Sequence, residues 1–135
     1  MQLPTVRTFM DTDTHALSED DDILEAVHRL IDEGVTGAPV VNAEGKLTGL
    51  LSEFECLRLM TQGQGGEVPS GRVRDYMCSD CPTVNPSMDV YYVAGMFLSH
   101  PSTRRFAVVE GNRLVGVITR KDILRAVGVG LKPQG

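Results

Sequence analysis

The chain of 135 residues contains the same pattern twice, and this duplication limits the possible folds more than any other feature. The motif VRTFM, which ends at Met10, returns as VRDYM, which ends at Met77. The motif GLLSEFE, which ends at Glu55, returns as GVITRKD, which ends at Asp122. Both displacements are 67 residues, so the repeating unit is large enough to be a structural unit.

Each repeat is predicted to contain a short extended start, a helix, a hairpin of two strands and a second helix. Apolar residues recur at helical spacing over 23–31, acids precede them, and Gly34 supplies a stop. The matching helix of the second repeat is predicted from about Asp89 to Ser99. Turn residues at 42–45 and 110–112 separate apolar runs and predict the two hairpins.

The segment 62–72 is rich in Gly, Pro and Ser, which is typical of a flexible linker. The predicted boundaries are therefore 1–61 for the first repeat and 73–135 for the second, the two together forming one domain. One such repeat buries too little surface to be stable alone. We therefore expect an α+β fold in which tandem β-α-β-β-α repeats pack about a pseudo-twofold axis and form two equivalent clefts.

The charge of the chain argues against several classes of partner. A net charge of −5 disfavours nucleic acid and anionic lipid, which need a basic face. No run approaches the roughly 18 apolar residues of a membrane span, and the N-terminal residues lack a secretory pattern, so a cytoplasmic protein is expected. Residues 103–132 nevertheless contain seven basic and two acidic side chains, which favours binding of a small anion there.

The ordered motifs resemble the cystathionine-β-synthase (CBS) domain pair, often called a Bateman module. The resemblance rests on the tandem repeat, on TGAPVV at the start of a strand and on the Gly-h-h-Thr-x-x-Asp ending, and it extends from about Val6 to Val127. It implies a stand-alone regulatory module that binds AMP, ADP, ATP or S-adenosylmethionine, requires no cofactor and signals to a partner protein. The alternatives are a ligand-free dimerisation or assembly module, and a metal or thiol switch at the Cys78-x-x-Cys81 motif.

The resemblance also implies which residues bind the ligand. Asp122 would take the ribose hydroxyls and Thr119 would lie near the ribose or phosphate, while Arg105, with Arg104 beside it, would pair with phosphate. The further residues implied for this cleft are Thr36, Ala38 and His15. The residues implied for a second, weaker cleft are Ser52, Glu55 and Thr83.

The polar pairs Thr119–Asp122 and Ser52–Glu55 have a second interpretation, the capping box at the start of a helix. The two interpretations make different demands on the acid. Glu satisfies a cap at least as well as Asp, whereas a clamp built for a short acid is displaced by an extra methylene. Since the first repeat has Glu55 in place of the shorter acid, one good ligand site is expected.

The remaining motifs favour no catalytic or metal site. Three cysteines, an odd number, fit a reducing compartment better than a disulfide framework, and no further ligands complete a metal site around Cys78 and Cys81. No nucleophile has a base partner at a catalytic spacing, so enzyme activity is not expected. Not all of Tyr91, Tyr92, Met96 and Phe97 can lie on one side of their helix, so Tyr92 or Tyr91 is predicted to contact a second chain, as in a homodimer.

Overall fold

A computed structural model of the chain describes residues 3–62 and 65–130. Its helices and strands are, in chain order, α1 (Val6–Phe9), β1 (Leu17–Ser18), α2 (Ile23–Glu33), β2 (Ala38–Val41), β3 (Leu47–Leu51), α3 (Glu53–Gln62), a short 3₁₀ helix (Val73–Asp75), α4 (Val90–Ser99), β4 (Arg105–Glu110), β5 (Arg113–Thr119) and α5 (Arg120–Gly130). The helix, hairpin and helix predicted for each repeat are present. The α+β class with tandem repeats is confirmed.

The chain forms two compact units. One contains the described residues of 14–81 and is called the first-repeat unit; the other contains 3–13 and 82–130 and is called the second-repeat unit. In the first-repeat unit the strand order is β1-β2-β3, with β1 parallel to β2 and β2 antiparallel to β3. In the second-repeat unit β4 and β5 form an antiparallel pair.

Each unit contains the start of the other repeat. The Val6 amide donates to the Met88 carbonyl at 2.9 Å, and the Val73 amide donates to the Asp21 carbonyl at 2.9 Å. These two hydrogen bonds are related by the same 67-residue displacement as the motifs. Both valines are fully buried, so the exchanged starts are parts of the two cores. The compact units thus differ from the sequence repeats, whose boundaries at 1–61, 62–72 and 73–135 stay a prediction.

The starts of α2 and α4 follow from short acids at the N-cap. Asp22 accepts a hydrogen bond from the Glu25 amide at 3.1 Å at the start of α2, and Asp89 accepts one from the Tyr92 amide at 2.8 Å at the start of α4. These bonds satisfy backbone amides that have no partner within the helix. Gly34 ends α2 with a φ of 71°, a left-handed conformation that glycine adopts without strain.

Each unit has its own apolar core. The core of the first-repeat unit consists of Leu17, Ile23, Ala26, Leu30, Ala38, Val40, Leu51, Leu59, Val73 and Tyr76. That of the second-repeat unit consists of Val6, Val84, Val90, Val93, Phe97, Phe106, Val108, Ile118, Ile123 and Ala126. Among the described residues, no helix has the length and apolar character needed to cross a membrane.

Candidate functional site

The acid and the hydroxyl of the second-repeat motif meet where strand β5 gives way to helix α5. The Thr119 amide and hydroxyl donate to Asp122 Oδ2 at 2.9 and 3.0 Å. The Asp122 amide lies 3.3 Å from Thr119 Oγ1 and donates to it. These contacts form the capping box that the sequence allowed, so Asp122 has a structural role at the start of α5.

The other oxygen of Asp122 faces an arginine on the next turn of α5. Arg125 Nη2 donates to Asp122 Oδ1 at 2.7 Å and to the Phe9 carbonyl at 3.2 Å. The Arg125 side chain is 58% exposed, whereas that of Asp122 is 13% exposed. A carboxylate oxygen has two acceptor positions. Oδ1 therefore retains acceptor capacity, and its present partner is an exposed side chain.

Arg105 lies directly across the hairpin from this pair. In the antiparallel register of β4 and β5, Arg105 is opposite Thr119. Arg105 is half-buried, while Arg104 is exposed and its carbonyl accepts a hydrogen bond from the Arg120 amide at 3.4 Å. The structure therefore brings Arg105, Thr119 and Asp122 to one end of the second-repeat hairpin.

Arg120, the residue next to Thr119, is held by the loop that precedes β4. Its Nε donates to the Thr103 carbonyl at 3.1 Å, and its guanidinium lies over the Phe97 ring at 5.9 Å from the centroid. These contacts give Arg120 a role in fixing the loop against α5. The sequence alone did not separate this arginine from Arg104 and Arg105 at the start of β4.

The matching motif of the first repeat is a closed cap. The Ser52 amide donates to Glu55 Oε2 at 3.0 Å, and the Ser52 hydroxyl contacts the same oxygen. Glu55 is buried, with 9% of its surface exposed. The longer acid is thus folded onto the backbone at the start of α3. Thr83 is exposed in the other unit, and its predicted place beside Ser52 and Glu55 stays a prediction.

The remaining residues predicted for the main cleft lie in the first-repeat unit. Thr36 is exposed just before β2, and Ala38 begins β2 within the core. His15 has a left-handed backbone conformation with φ 53°, and its Nδ1 lies 2.8 Å from Glu33 Oε2. The roles of Thr36, Ala38 and His15 in ligand binding stay predictions.

Glu33 is the acid that holds His15. Desolvation acts to raise its pKa, but hydrogen bonds from His15 and Arg29, together with their charges, hold the pKa of Glu33 below its ordinary value. Arg29 Nε lies 3.3 Å from Glu33 Oε1, one helical turn away. Glu33, the last residue of α2, therefore holds both the Arg29 and the His15 side chains.

The state of two cysteines differs from what the sequence led us to expect. Cys78 and Cys81 form a disulfide, although the odd cysteine count favoured reduced thiols. Cys56 is a free thiol that packs beside the core, and burial raises its pKa, with Glu55 and Glu53 adding to the shift. Among the described residues, no group of three or more His, Cys, Asp or Glu side chains could hold a metal ion.

A cavity that the sequence did not reveal lies in the first-repeat unit. It has a volume of about 600 Å³ and is bounded by α2, α3 and the chain near Pro69. Its lining is apolar apart from the Cys56 thiol and the Thr61 hydroxyl. Helical periodicity predicts buried faces but not a gap between two of them, so the sequence carried no signal for this cavity.

A duplicated helix, hairpin and helix, with an acid–hydroxyl pair after each hairpin, defines a class of tandem-repeat modules. Residues 6–62 and 73–129 each match the CBS domain, and the chain therefore belongs to the CBS domain family. The resemblance noted in the sequence is confirmed.

Several curated proteins are similar to this chain. It is 34% identical over 122 residues to the A-adding tRNA nucleotidyltransferase of Aquifex aeolicus and 33% identical over 124 residues to the protein MJ1225 of Methanocaldococcus jannaschii. These matches cover 90% and 91% of the chain but span only 14% and 42% of the two relatives. The chain is also 29% identical over 122 residues, 90% of its length, to the CBS domain-containing protein YhcV of Bacillus subtilis, of which it spans 84%.

Solved structures share the fold. The crystal structure of CBSX2 in complex with AMP matches with a TM-score of 0.82 at 26% identity, covering 96% of this chain and 99% of that one. The CBS domain pair of protein MJ0100, in complex with 5-methylthioadenosine and S-adenosyl-L-methionine, matches with a TM-score of 0.82 at 22% identity and the same coverage.

Proposed function

We propose that this chain is a regulatory CBS pair that binds an adenosine-containing ligand and signals to a partner protein. Thr119, Asp122 and Arg105 are the residues that hold the ligand in this proposal, with Arg104 beside them. The role is regulatory and not catalytic, and the cytoplasmic location expected from the sequence stays a prediction. The proposal concerns this module alone, since the chain spans only 14% of its nucleotidyltransferase relative.

The observation that carries the proposal is the juxtaposition at the end of the β4–β5 hairpin. Arg105 is opposite Thr119, and Thr119 is hydrogen-bonded to Asp122. An acceptor for hydroxyl groups and a guanidinium for phosphate therefore lie within one hairpin end. The relative CBSX2, which was crystallised with AMP, supports an adenine nucleotide as the ligand class.

The proposed binding mode uses Asp122 Oδ1, the carboxylate oxygen that accepts from Arg125. The two ribose hydroxyls of the ligand donate to Asp122 Oδ1, and the exposed Arg125 gives up its place there. The phosphate then pairs with Arg105, while the hydrogen bonds from Thr119 to Oδ2 persist. Thr36, Ala38 and His15 remain predicted contributors to the same site. A ligand held in this way acts by population shift, limited by its differential affinity for two arrangements of the protein.

The test must distinguish the role of Asp122 as a helix cap from its role in binding the ligand. Glu55 shows that a glutamate can form this cap in the first repeat. Asp122→Glu is therefore expected to keep the helix start while moving the carboxylate by one methylene. Melting temperatures are measured with AMP, ADP, ATP, S-adenosylmethionine and NADH for the native chain, for Asp122→Glu and for the matched control Glu55→Asp.

We expect an adenosine compound to raise the melting temperature of the native chain and of Glu55→Asp but not of Asp122→Glu. A ligand at about 100 times its Kd stabilises by roughly 2.7 kcal/mol, which such a melt resolves. An equal ligand-induced shift in the native chain and in Asp122→Glu would contradict the assigned site. The absence of any shift with all five compounds would contradict the proposed ligand class.

The second candidate function is a ligand-free dimerisation or assembly module, and exposed apolar side chains favour it. Tyr92 and Leu98 on α4 are 61% and 83% exposed, and Leu124 on α5 is 70% exposed. We propose a homodimer that covers these helices, because exposed apolar side chains are stabilised by burial against another chain. Light scattering on the native chain and on Tyr92→Glu tests this. A dimeric mass that persists in the variant would contradict a contact at Tyr92.

A further inference from the structure

The Cys78–Cys81 pair is a feature that the proposed function does not use. The two Cα atoms are 5.9 Å apart, and the sulfurs are bonded. Both cysteines are half-buried, and Ser79 and Asp80 between them are exposed. Small thiols can reach such a site, and a C-x-x-C pair has the spacing of exchangeable disulfides. We propose that Cys78 and Cys81 form a redox site that exchanges with small-molecule thiols and disulfides and whose oxidised state secures the edge of strand β3.

The pair is joined to β3 through the backbone of Cys78. The Cys78 amide donates to the Leu50 carbonyl and the Leu50 amide donates to the Cys78 carbonyl, each at 2.9 Å. A Cβ atom added to Gly49 would lie 2.8 Å from the Cys78 carbonyl oxygen, so the two backbones are in close contact. Strand β3 ends at Leu51, the residue after Leu50 and directly before the capping residue Ser52. A change in the turn at 78–81 therefore acts on the strand that positions the Ser52–Glu55 cap.

The other repeat shows that this edge forms without a cross-link. Asp11 and Thr14 occupy the positions 67 residues before Cys78 and Cys81. Asp11 and Val117 exchange the same two backbone hydrogen bonds, each at 2.9 Å. The disulfide is therefore not a requirement of the fold at this edge. In the cytoplasmic location that the sequence predicts, a disulfide that the fold does not require is typical of a redox-sensing pair.

The exchange reaction balances with oxidised glutathione as the oxidant. One cysteine thiolate attacks a glutathione sulfur, a mixed disulfide forms and one glutathione thiolate leaves. The second cysteine attacks the mixed disulfide, the Cys78–Cys81 bond forms and a second glutathione leaves. The two cysteines together lose two protons and two electrons. The two released glutathione thiols carry these protons and electrons. Reduced glutathione reverses the same steps.

The first experiment equilibrates the full chain in mixtures of oxidised and reduced glutathione, quenches with an alkylating reagent and counts labelled thiols by mass. We expect Cys78 and Cys81 to change together between labelled and unlabelled as the glutathione ratio changes. The matched control is Cys56→Ser, in which Cys78 and Cys81 should respond to the ratio in the same way. A chain that stays reduced in oxidised glutathione would overturn the proposal. So would a chain that stays oxidised in excess reduced glutathione, since the bond would then be structural.

The second experiment reads the effect on β3 by amide hydrogen exchange of the oxidised and reduced native chain. We expect the Leu50 and Cys78 amides to exchange about tenfold faster after reduction, because the edge then opens locally more often. The Val117 and Asp11 amides provide the internal control and should not change. Equal exchange in both redox states, or the same acceleration at Val117, would overturn the link to β3. Neither experiment involves an adenosine ligand, so its outcome is independent of the proposed function.

Discussion

Asp122 and Glu55 occupy equivalent positions and make the same kind of cap, but their environments differ. Both accept a hydrogen bond from the backbone amide three residues earlier, and Asp122 accepts a further one from the exposed Arg125. Removing the cap from the second repeat should therefore cost stability whatever the ligand does. We expect Asp122→Ala to lower the free energy of unfolding by about 1 kcal/mol.

Urea unfolding of the ligand-free chain measures this effect. Asp122→Glu is the matched variant, and its loss should be smaller because the glutamate can still cap α5. A loss for Asp122→Glu as large as that for Asp122→Ala would contradict the structural equivalence of the two acids. Comparable stability of Asp122→Ala and the native chain would contradict the capping role itself.

The lowered pKa of Glu33 predicts that the stability of the fold depends on pH in the acid range. Hydrogen bonds from His15 and Arg29 outweigh desolvation and hold the pKa of Glu33 below its ordinary value of 4.5. A carboxyl whose folded pKa is lowered binds protons more weakly in the folded state. Its contribution to stability is therefore present above the unfolded pKa and is lost as pH falls through the folded pKa.

Urea unfolding between neutral and acid pH tests the Glu33 pair. Glu33→Gln removes the titrating group, so the fall in stability below pH 4.5 should be less steep than in the native chain. Identical acid dependence in the two proteins would show that Glu33 has no lowered pKa.

At the scale of elements, the contact between each exchanged start and the neighbouring hairpin depends on a glycine. A Cβ atom at Gly49 would lie 2.7 Å from Met77 Sδ, and one at Gly116 would lie 2.8 Å from Met10 Sδ. Backbone oxygens of Cys78 and Asp11 are also close, at 2.8 and 3.1 Å. A side chain at Gly49 must therefore displace the Cys78 backbone, whereas one at Gly116 must displace the Met10 side chain and crowds the Asp11 backbone.

We expect Gly49→Ala and Gly116→Ala each to lower the free energy of unfolding by about 1–3 kcal/mol, the usual range for overpacking. Gly128, exposed on α5 with no atom within 4 Å of an added Cβ, is the matched control. Gly128→Ala should stabilise by up to about 1 kcal/mol through helix propensity. Thermal or urea unfolding measures all three, and equal effects at Gly116 and Gly128 would contradict the close approach.

The sequence predicted the elements well because their signals are local. Acids before Ile23, the Gly34 stop and the turn residues of the hairpins each act within a few positions, and the structure confirms them. The exchange of the repeat starts has no such signal. In a duplicated chain Val6 and Val73 meet equivalent partners in either pairing, so periodicity cannot choose between the two arrangements.

In the candidate site, too, the features with a local signal were predicted and those that depend on register or turn conformation were not. The Thr119–Asp122 pair follows from its spacing of three residues, and the cap is present. The facing position of Arg105 depends on hairpin register. The predicted turns at 42–45 and 110–112 differ in length by one residue, so the sequence leaves that register undetermined. The Cys78–Cys81 bond depends on the turn conformation at 78–81, which neither cysteine count nor helical periodicity determines.

At the scale of the whole molecule, the exchange of starts predicts where a core mutation acts. Val6 belongs to the first sequence repeat but is buried in the core of the second-repeat unit. We expect Val6→Ala to destabilise that core by about 2 kcal/mol. Its effect should appear in residues 82–130 rather than in the rest of its own repeat.

Native-state hydrogen exchange with mass spectrometry locates the effect of Val6→Ala. Faster exchange is expected in α4, β4 and β5, with β2 and β3 little changed. Val73→Ala is the matched variant and should give the reverse pattern. Faster exchange in β2 and β3 for Val6→Ala would contradict the assignment of Val6 to the second-repeat unit.

We infer that one acid, Asp122, serves both as a helix cap and as the clamp for an adenosine ligand. Calorimetric titration of the native chain with AMP tests this double role, because stoichiometry and affinity come from one measurement. We predict one AMP per chain, retained in Glu55→Asp and lost in Asp122→Glu while that variant remains folded. Binding of AMP to Asp122→Glu with native affinity, or no binding to the native chain, would contradict the claim.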